Sequence, residues 1–131
     1  MKLTKLFAAV LLVTTVALVS CKSKSAKDLI VNKWKISNVS GGEAGKMSDS
    51  IKTEIYSKAT MEFMKDGKYM MSMMGEPGKG GTYSVSDDGK TLTTTDEGST
   101  NPEAADIVEI SKDKCVIKNK KEDMTITLVS K

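Results

Sequence analysis

The densest run of one chemically distinctive residue is Met70-Met71-Ser72-Met73-Met74. Thioethers are soft ligands that suit Cu(I). An extended strand sends Met71 and Met73 to one side and Met70 and Met74 to the other, so this segment alone gathers no three thioethers. Methionine more simply makes an adaptable apolar lining. A lining is the expectation, with contact to an apolar ligand second and copper binding a remote third. Carboxylates come in adjacent pairs at Asp87-Asp88, Asp96-Glu97 and Glu122-Asp123. Each pair lies in a turn-like stretch, where aspartate bonds nearby backbone. A solvated pair has no burial to raise one pKa, so general acid–base work is not expected. Asp96, Glu97, Asn101, Glu103 and Asp106 offer hard oxygen donors but lack the alternating spacing of a calcium loop. Gly75-Glu76-Pro77-Gly78-Lys79-Gly80-Gly81 has the composition of a phosphate loop. That motif needs Ser or Thr after the lysine and then a helix. Here Gly80 follows and a strand pattern comes next, so a mobile hairpin loop is expected.

No histidine and no arginine occur in the 131 residues. Lacking histidine, the chain cannot build Ser–His or Cys–His nucleophile pairs or the commonest zinc ligand. Lacking arginine, it loses the best residue for bidentate recognition of phosphate and guanine. The expectation is a non-enzymatic protein with no metal or other cofactor and no nucleic-acid partner.

The two cysteines differ in setting. Cys115 opens the short apolar run Cys115-Val116-Ile117 and reads as a small core residue. Cys21 closes the only long apolar run. Met1 to Lys5 carries two lysines, Leu6 to Val19 is a 14-residue core, and Leu18-Val19-Ser20-Cys21 ends it. The run is shorter than the roughly 20 residues of a spanning helix. This arrangement resembles a bacterial lipoprotein signal peptide. The resemblance implies that residues 1–20 are removed and that Cys21 receives a diacylglyceryl group and an amide-linked chain such as palmitate. Residues 21–28, the lipidated cysteine and a polar segment through Lys22, Lys24 and Lys27, then read as a tether. No acid follows Cys21, and by the same resemblance this favours the outer membrane, facing the periplasm. Removing the leader leaves 111 residues with 18 lysines against 17 acids, enough for one domain of near-neutral charge.

From Leu29 on, short apolar runs alternate with turn signals at about ten-residue intervals, as in an all-β barrel or sandwich. Strands are expected near 32–39, 60–65, 68–74, 81–86, 90–95, 105–111, 115–119 and 124–130. One short helix, capped at Ser48 with Met47, Ile51 and Ile55 on one face, should follow the first strand, end near Lys58 and lie across a barrel end. At Lys65-Asp66-Gly67-Lys68 a three-residue loop pairs Phe63 with Tyr69 and gathers Met61, Phe63, Tyr69, Met71 and Met73 on one face. A one-residue slip would scatter them. At Asp87-Asp88-Gly89-Lys90 a two-residue Asp88-Gly89 turn pairs Val85 with Leu92 and Tyr83 with Thr94. Val108 and Ile110 are expected to face Cys115 and Ile117, and Met124, Ile126 and Leu128 to point inward from the last strand.

Leu29 to Trp34, then Met61-Glu62-Phe63-x-x-Asp66-Gly67-x-Tyr69, then Gly81-x-Tyr83-x-Val85-x-x-Asp88-Gly89-x-x-Leu92, resembles the lipocalin-like domain of small bacterial lipoproteins. The similarity spans about residues 29–129. It implies an up-and-down antiparallel β-barrel of about eight strands over residues 29–131, opened by Trp34. One departure is Asn32-Lys33, where lipocalins carry Gly-x before the tryptophan.

Two functions then compete. In the first, a small apolar ligand sits inside against Trp34, Met61, Phe63, Tyr69, Met71, Met73 and Tyr83. In the second, the barrel is filled, and outward Met64, Met70 and Met74 dock an envelope protein partner. Either way the membrane is reached through lipid on Cys21. Cys21→Ser is expected to leave the precursor unprocessed and to abolish incorporation of labelled fatty acid. Label persisting in that variant would overturn the anchor.

Overall fold

Alternation of apolar and polar residues along most of the chain leaves each segment one face to bury, and short turns force neighbours to pair antiparallel. The computed structural model describes residues 24–131, so the leader, Cys21 and the first part of the tether lie outside the described residues. In chain order the elements are helix α1 (Ala26–Ile30), strand β1 (Asn32–Gly41), a 3-10 turn (Gly42–Lys46), helix α2 (Asp49–Tyr56), and strands β2 (Thr60–Phe63), β3 (Lys68–Met73), β4 (Glu76–Val85), β5 (Thr91–Asp96), β6 (Glu103–Ile110), β7 (Lys114–Asn119) and β8 (Met124–Ser130). Each strand pairs with the next, and β1 returns to pair with β8, closing an eight-stranded up-and-down barrel.

The β2–β3 hairpin has the expected register, with Phe63 opposite Tyr69 and Met61 opposite Met71. Its loop closes with the Met64 N–H on the Lys68 carbonyl at 2.8 Å. Gly67 at φ 85° supplies the left-handed residue that a three-residue loop needs. Val85 pairs with Leu92 and Tyr83 with Thr94, again as expected. The turn between them is longer than the two-residue Asp88-Gly89 reading. Ser86 donates to the Thr91 carbonyl at 2.9 Å, so Asp87 to Lys90 form a four-residue loop. Asp88 stabilises it by accepting from the Ser86 hydroxyl and the Lys90 N–H.

Other expectations need correction. The run Gly75 to Gly81 is no loop: β4 starts at Glu76, after a two-residue turn of Met74 (φ 53°) and Gly75 (φ 82°). Val108 points outward, 61 % exposed, and Ile107 takes its place opposite Ile117. The cause is a bulge at Val108, which lets Ile107 and Ile110 both face inward three residues apart. A like bulge at Ser37 turns both Ile36 and Val39 inward. Helix α2 is capped by Ser48, whose hydroxyl accepts from the Ile51 N–H, but it ends at Tyr56. Tyr56 packs on the core while Ile51 stays exposed. Rather than crossing a barrel end, α2 leans on β1 beside residues 36–39, where β2, paired only with residues 32–35, leaves that strand uncovered. Helix α1 begins inside the stretch read as tether.

The core runs from Ile30, Trp34, Phe63 and Leu128 in the lower half up to Ile117. Helix α1 plugs that lower end. Ile30 is fully buried, and its carbonyl accepts from the Trp34 indole Nε1 at 3.0 Å. No described helix is long and apolar enough to cross a membrane. Cys115 is fully buried beside this core.

The register makes a direct prediction. Phe63→Ala, at an inward site 1 % exposed, should lower stability by about 3–5 kcal/mol in denaturant titration. Met70→Ala, at an outward site, should stay within about 0.5 kcal/mol of the parent. Cys115 makes a second. Burial, helped by the Glu109 charge, pushes its thiol from 9.0 up to about 12. Above pH 9 the unfolded chain releases this proton and the native state keeps it, so stability falls as pH rises. The slope approaches about 1.4 kcal/mol per pH unit. Melts of Cys115→Ala through that range should show a flatter decline than the parent.

Candidate functional site

Antiparallel topology places the strand connections alternately at the two ends. The lower end carries α1 and the turns at 64–67, 86–90 and 111–113. The upper end carries the long β1–β2 connection, the Met74-Gly75 turn, the 97–102 loop and the 120–123 turn. Among the described residues nothing like α1 covers the upper interior, where a cavity of about 140 Å³ opens.

Its apolar wall comes from Met61, Leu92, Ile117, Met124 and Ile126. The pairing positions them: Ile117 stands between Ile107 and Ile126, and Met124 faces Asn119. Ala105, opposite Leu92, is too small to fill the space in front of it. Polar groups gather at the lip, where Thr94 pairs with Glu103 and where Asn119 and Glu122 complete the rim.

The same rim holds a Tyr–Asp contact. Tyr69, Gly81 and Asp96 share one row of inward positions across β3, β4 and β5. Gly81 offers no side chain, and a Cβ there would meet the Thr95 carbonyl oxygen at 2.0 Å. Close approach of β5 thus requires glycine at position 81, and the Tyr69 hydroxyl donates to the Asp96 carboxylate. Burial raises the Tyr69 pKa, and the charges of Asp96 and Glu103 raise it further. Tyr83 is likewise raised by burial, and its hydroxyl donates to the Met64 carbonyl at 2.6 Å.

Of the lining residues read from sequence, Met61 alone reaches the cavity wall. Trp34 and Phe63 lie fully buried below it. Phe63 packs edge-on to Tyr83 at 4.9 Å and tilted to Tyr69 at 6.2 Å. Met71 stands opposite Met61, and Met73 follows on the same face, both half-buried against the core. Among the described residues no three His, Cys, Asp or Glu side chains gather as a metal site. Sequence reasoning missed Leu92, Ala105, Ile117, Asn119, Met124 and Ile126 as cavity wall. Four of these were read as inward-facing, but which of them border empty space depends on the bulges.

The outward methionines divide. Met64 and Met70 wall an open groove of about 440 Å³ on the outer face of β3–β5, with Gly80 and Gly81 at its floor. Met74 stands apart at the hairpin tip, 61 % exposed.

Solved structures share this fold at low identity. One is the crystal structure of a DUF4847 family protein from Bacteroides vulgatus ATCC 8482, with 11% identity, 77% of this chain and 93% of that chain covered, and a TM-score of 0.54. Another is the NMR structure of a protein from Bacteroides uniformis ATCC 8492, with 18% identity, 82% and 93% covered, and a TM-score of 0.56. Among curated proteins none matches this sequence. Residues 30–117 match the lipocalin-like domain, most of the barrel from the end of the plug helix to β7, and the chain belongs to that family.

Proposed function

We propose that this protein is a lipid-anchored envelope module whose barrel binds one end of a small apolar or amphiphilic molecule at its upper mouth. The observation that carries this reading is a cavity with apolar walls, open above and closed below by α1. At about 140 Å³ it is smaller than the roughly 300–1,000 Å³ of sites that enclose a whole drug-sized ligand. It is close to the roughly 150 Å³ that accommodates benzene. A ring or a short alkyl end fits against Met61, Leu92 and Ile126, and the rest of the ligand lies at the rim among Thr94, Glu103 and Asn119. No chemistry is assigned to the site, because its carboxylates are exposed at the lip. Lipid on Cys21 would hold the module at the periplasmic face of the outer membrane. A second reading, partner docking along the groove of Met64 and Met70, draws support from the 38 % exposure of Met70.

The test is an NMR titration of methionine-methyl-labelled protein with n-hexanol. Saturable shifts at the Met61 and Met124 methyls, lost in Ala105→Phe, are expected. Shifts confined to Met64 and Met70 would move the site to the outer groove. No saturable shift at any methionine would overturn the mouth as a ligand site.

A further inference from the structure

We infer that the plugged lower end of the barrel is a membrane-facing surface that seats on anionic lipid headgroups. Three observations converge there. The first is charge. Segments 24–33, 64–68, 86–90, 111–114 and 130–131, all at the lower end, hold nine lysines against five aspartates, with Glu62 opposite Lys33 and Glu109 beside Lys114 on the adjoining strands. Segments 42–48, 57–59, 74–79, 96–103 and 119–124, at the upper end, hold five lysines against seven carboxylates. A chain of near-zero net charge thus has a basic end and an acidic end.

The second is the freedom of these lysines. Lys27 is held by Asp87 at 2.6 Å and Lys114 by Glu109 at 3.5 Å. Lys33, Lys65, Lys68, Lys90, Lys112 and Lys131 make no ion pair among the described residues. Several lower-end aspartates are turned into their own loops instead. Asp66 accepts from the Lys68 N–H, and Asp88 from the Ser86 hydroxyl and the Lys90 N–H. A shallow hollow of about 330 Å³ between α1 and the β2–β3 turn brings Lys27, Lys65 and the exposed Val31 together, with Asp28 on the same lining. Charged rims around an apolar contact suit a bilayer interface.

The third is where the chain enters. Ser25 opens α1 at this end, and Cys21 precedes it by four residues, a reach of at most about 14 Å. The inference rests on the reading of the chain as membrane-anchored near Cys21. An anchor so close leaves the barrel little choice of facing surface, and the basic one is the electrostatically favoured choice. Each lysine near an anionic surface strengthens binding about fivefold, and the attraction decays within a Debye length. The acidic mouth is repelled by the same surface and turns away from it.

Lysine footprinting tests this. The full-length chain is reconstituted into vesicles of phosphatidylcholine, with or without phosphatidylglycerol, and acetylated with a water-soluble reagent. Acetylation of Lys33, Lys65, Lys90 and Lys112 should slow about fivefold on the anionic vesicles. Lys46, Lys58, Lys79 and Lys121 should react alike on both, and high salt should erase the difference. Lys65→Glu/Lys90→Glu/Lys112→Glu, all in exposed turns, should lose the protection of Lys33 and Lys131 with its thermal melt retained. Flotation separates the two readings. A chain that fails to float with pure phosphatidylcholine vesicles refutes the anchor. One that floats without lipid-dependent protection, or with protection at the mouth lysines, refutes the basic seat.

Discussion

The barrel depends on the seam where β1 meets β8. Every other strand pairs with its neighbour in sequence, but this pairing joins residues more than 80 positions apart. β1 makes seven register pairs along β8 and only four with β2. The longer partnership is interrupted by the Ser37 bulge, which keeps Trp34, Ile36 and Val39 all turned inward. Without it, alternation would place Val39 on the outer face. The short β2 then leaves the upper half of β1 bare on one side, and α2 with Tyr56 packs there. Closure of the seam also fixes Trp34, whose indole holds the Ile30 carbonyl and with it the plug.

One consequence is that, among the described residues, the interior is closed at the lower end and open at the upper one. Eight strands enclose room for side chains or for one small ligand. In the lower half Ile30, Trp34, Phe63 and Leu128 fill that room completely. In the upper half the inward positions fall on Ala105, Thr94 and Asn119, which are smaller or polar, and space remains. Gly81 lets β5 approach β4 closely, and beside it the Tyr69 hydroxyl is held by Asp96 at the rim.

Much of this was legible in the sequence where alternation was uninterrupted. The pairings of Phe63 with Tyr69 and of Val85 with Leu92, and the inward set Met124, Ile126 and Leu128, follow from hydrophobic pattern and turn residues alone. What was not legible shares one cause. A bulge changes the face of every residue beyond it yet leaves no compositional mark, so Val108 reads as inward and Ile107 as outward. The glycine run of 75–81 misled for a related reason. Glycine is rare in strands, and here it is used because β3 and β5 approach β4 too closely for side chains. The cavity wall was legible only in part, since empty space is a property of several strands in register and of no one segment.

Net charge hides the last feature. Eighteen lysines against 17 acids in the chain from Cys21 onward suggest an electrically bland protein, but a sum says nothing about placement. Up-and-down topology sorts the strand ends and their connections into two groups. The lower turns hold Lys65, Lys90 and Lys112 against Asp66, Asp87, Asp88 and Asp113. The lysine excess of that end thus comes from the chain entry and strand ends beside them, Lys24, Lys27, Lys33, Lys68, Lys114 and Lys131, while the upper end carries Asp96, Glu97 and Glu122. The sorting needs no long-range contact, since each turn is charged for its own local reasons and the barrel alone aligns them. The plug that closes the lower end also brings the chain in there. The closed end, the chain entry and the excess of lysine thus coincide, and the open mouth lies at the opposite, acidic pole.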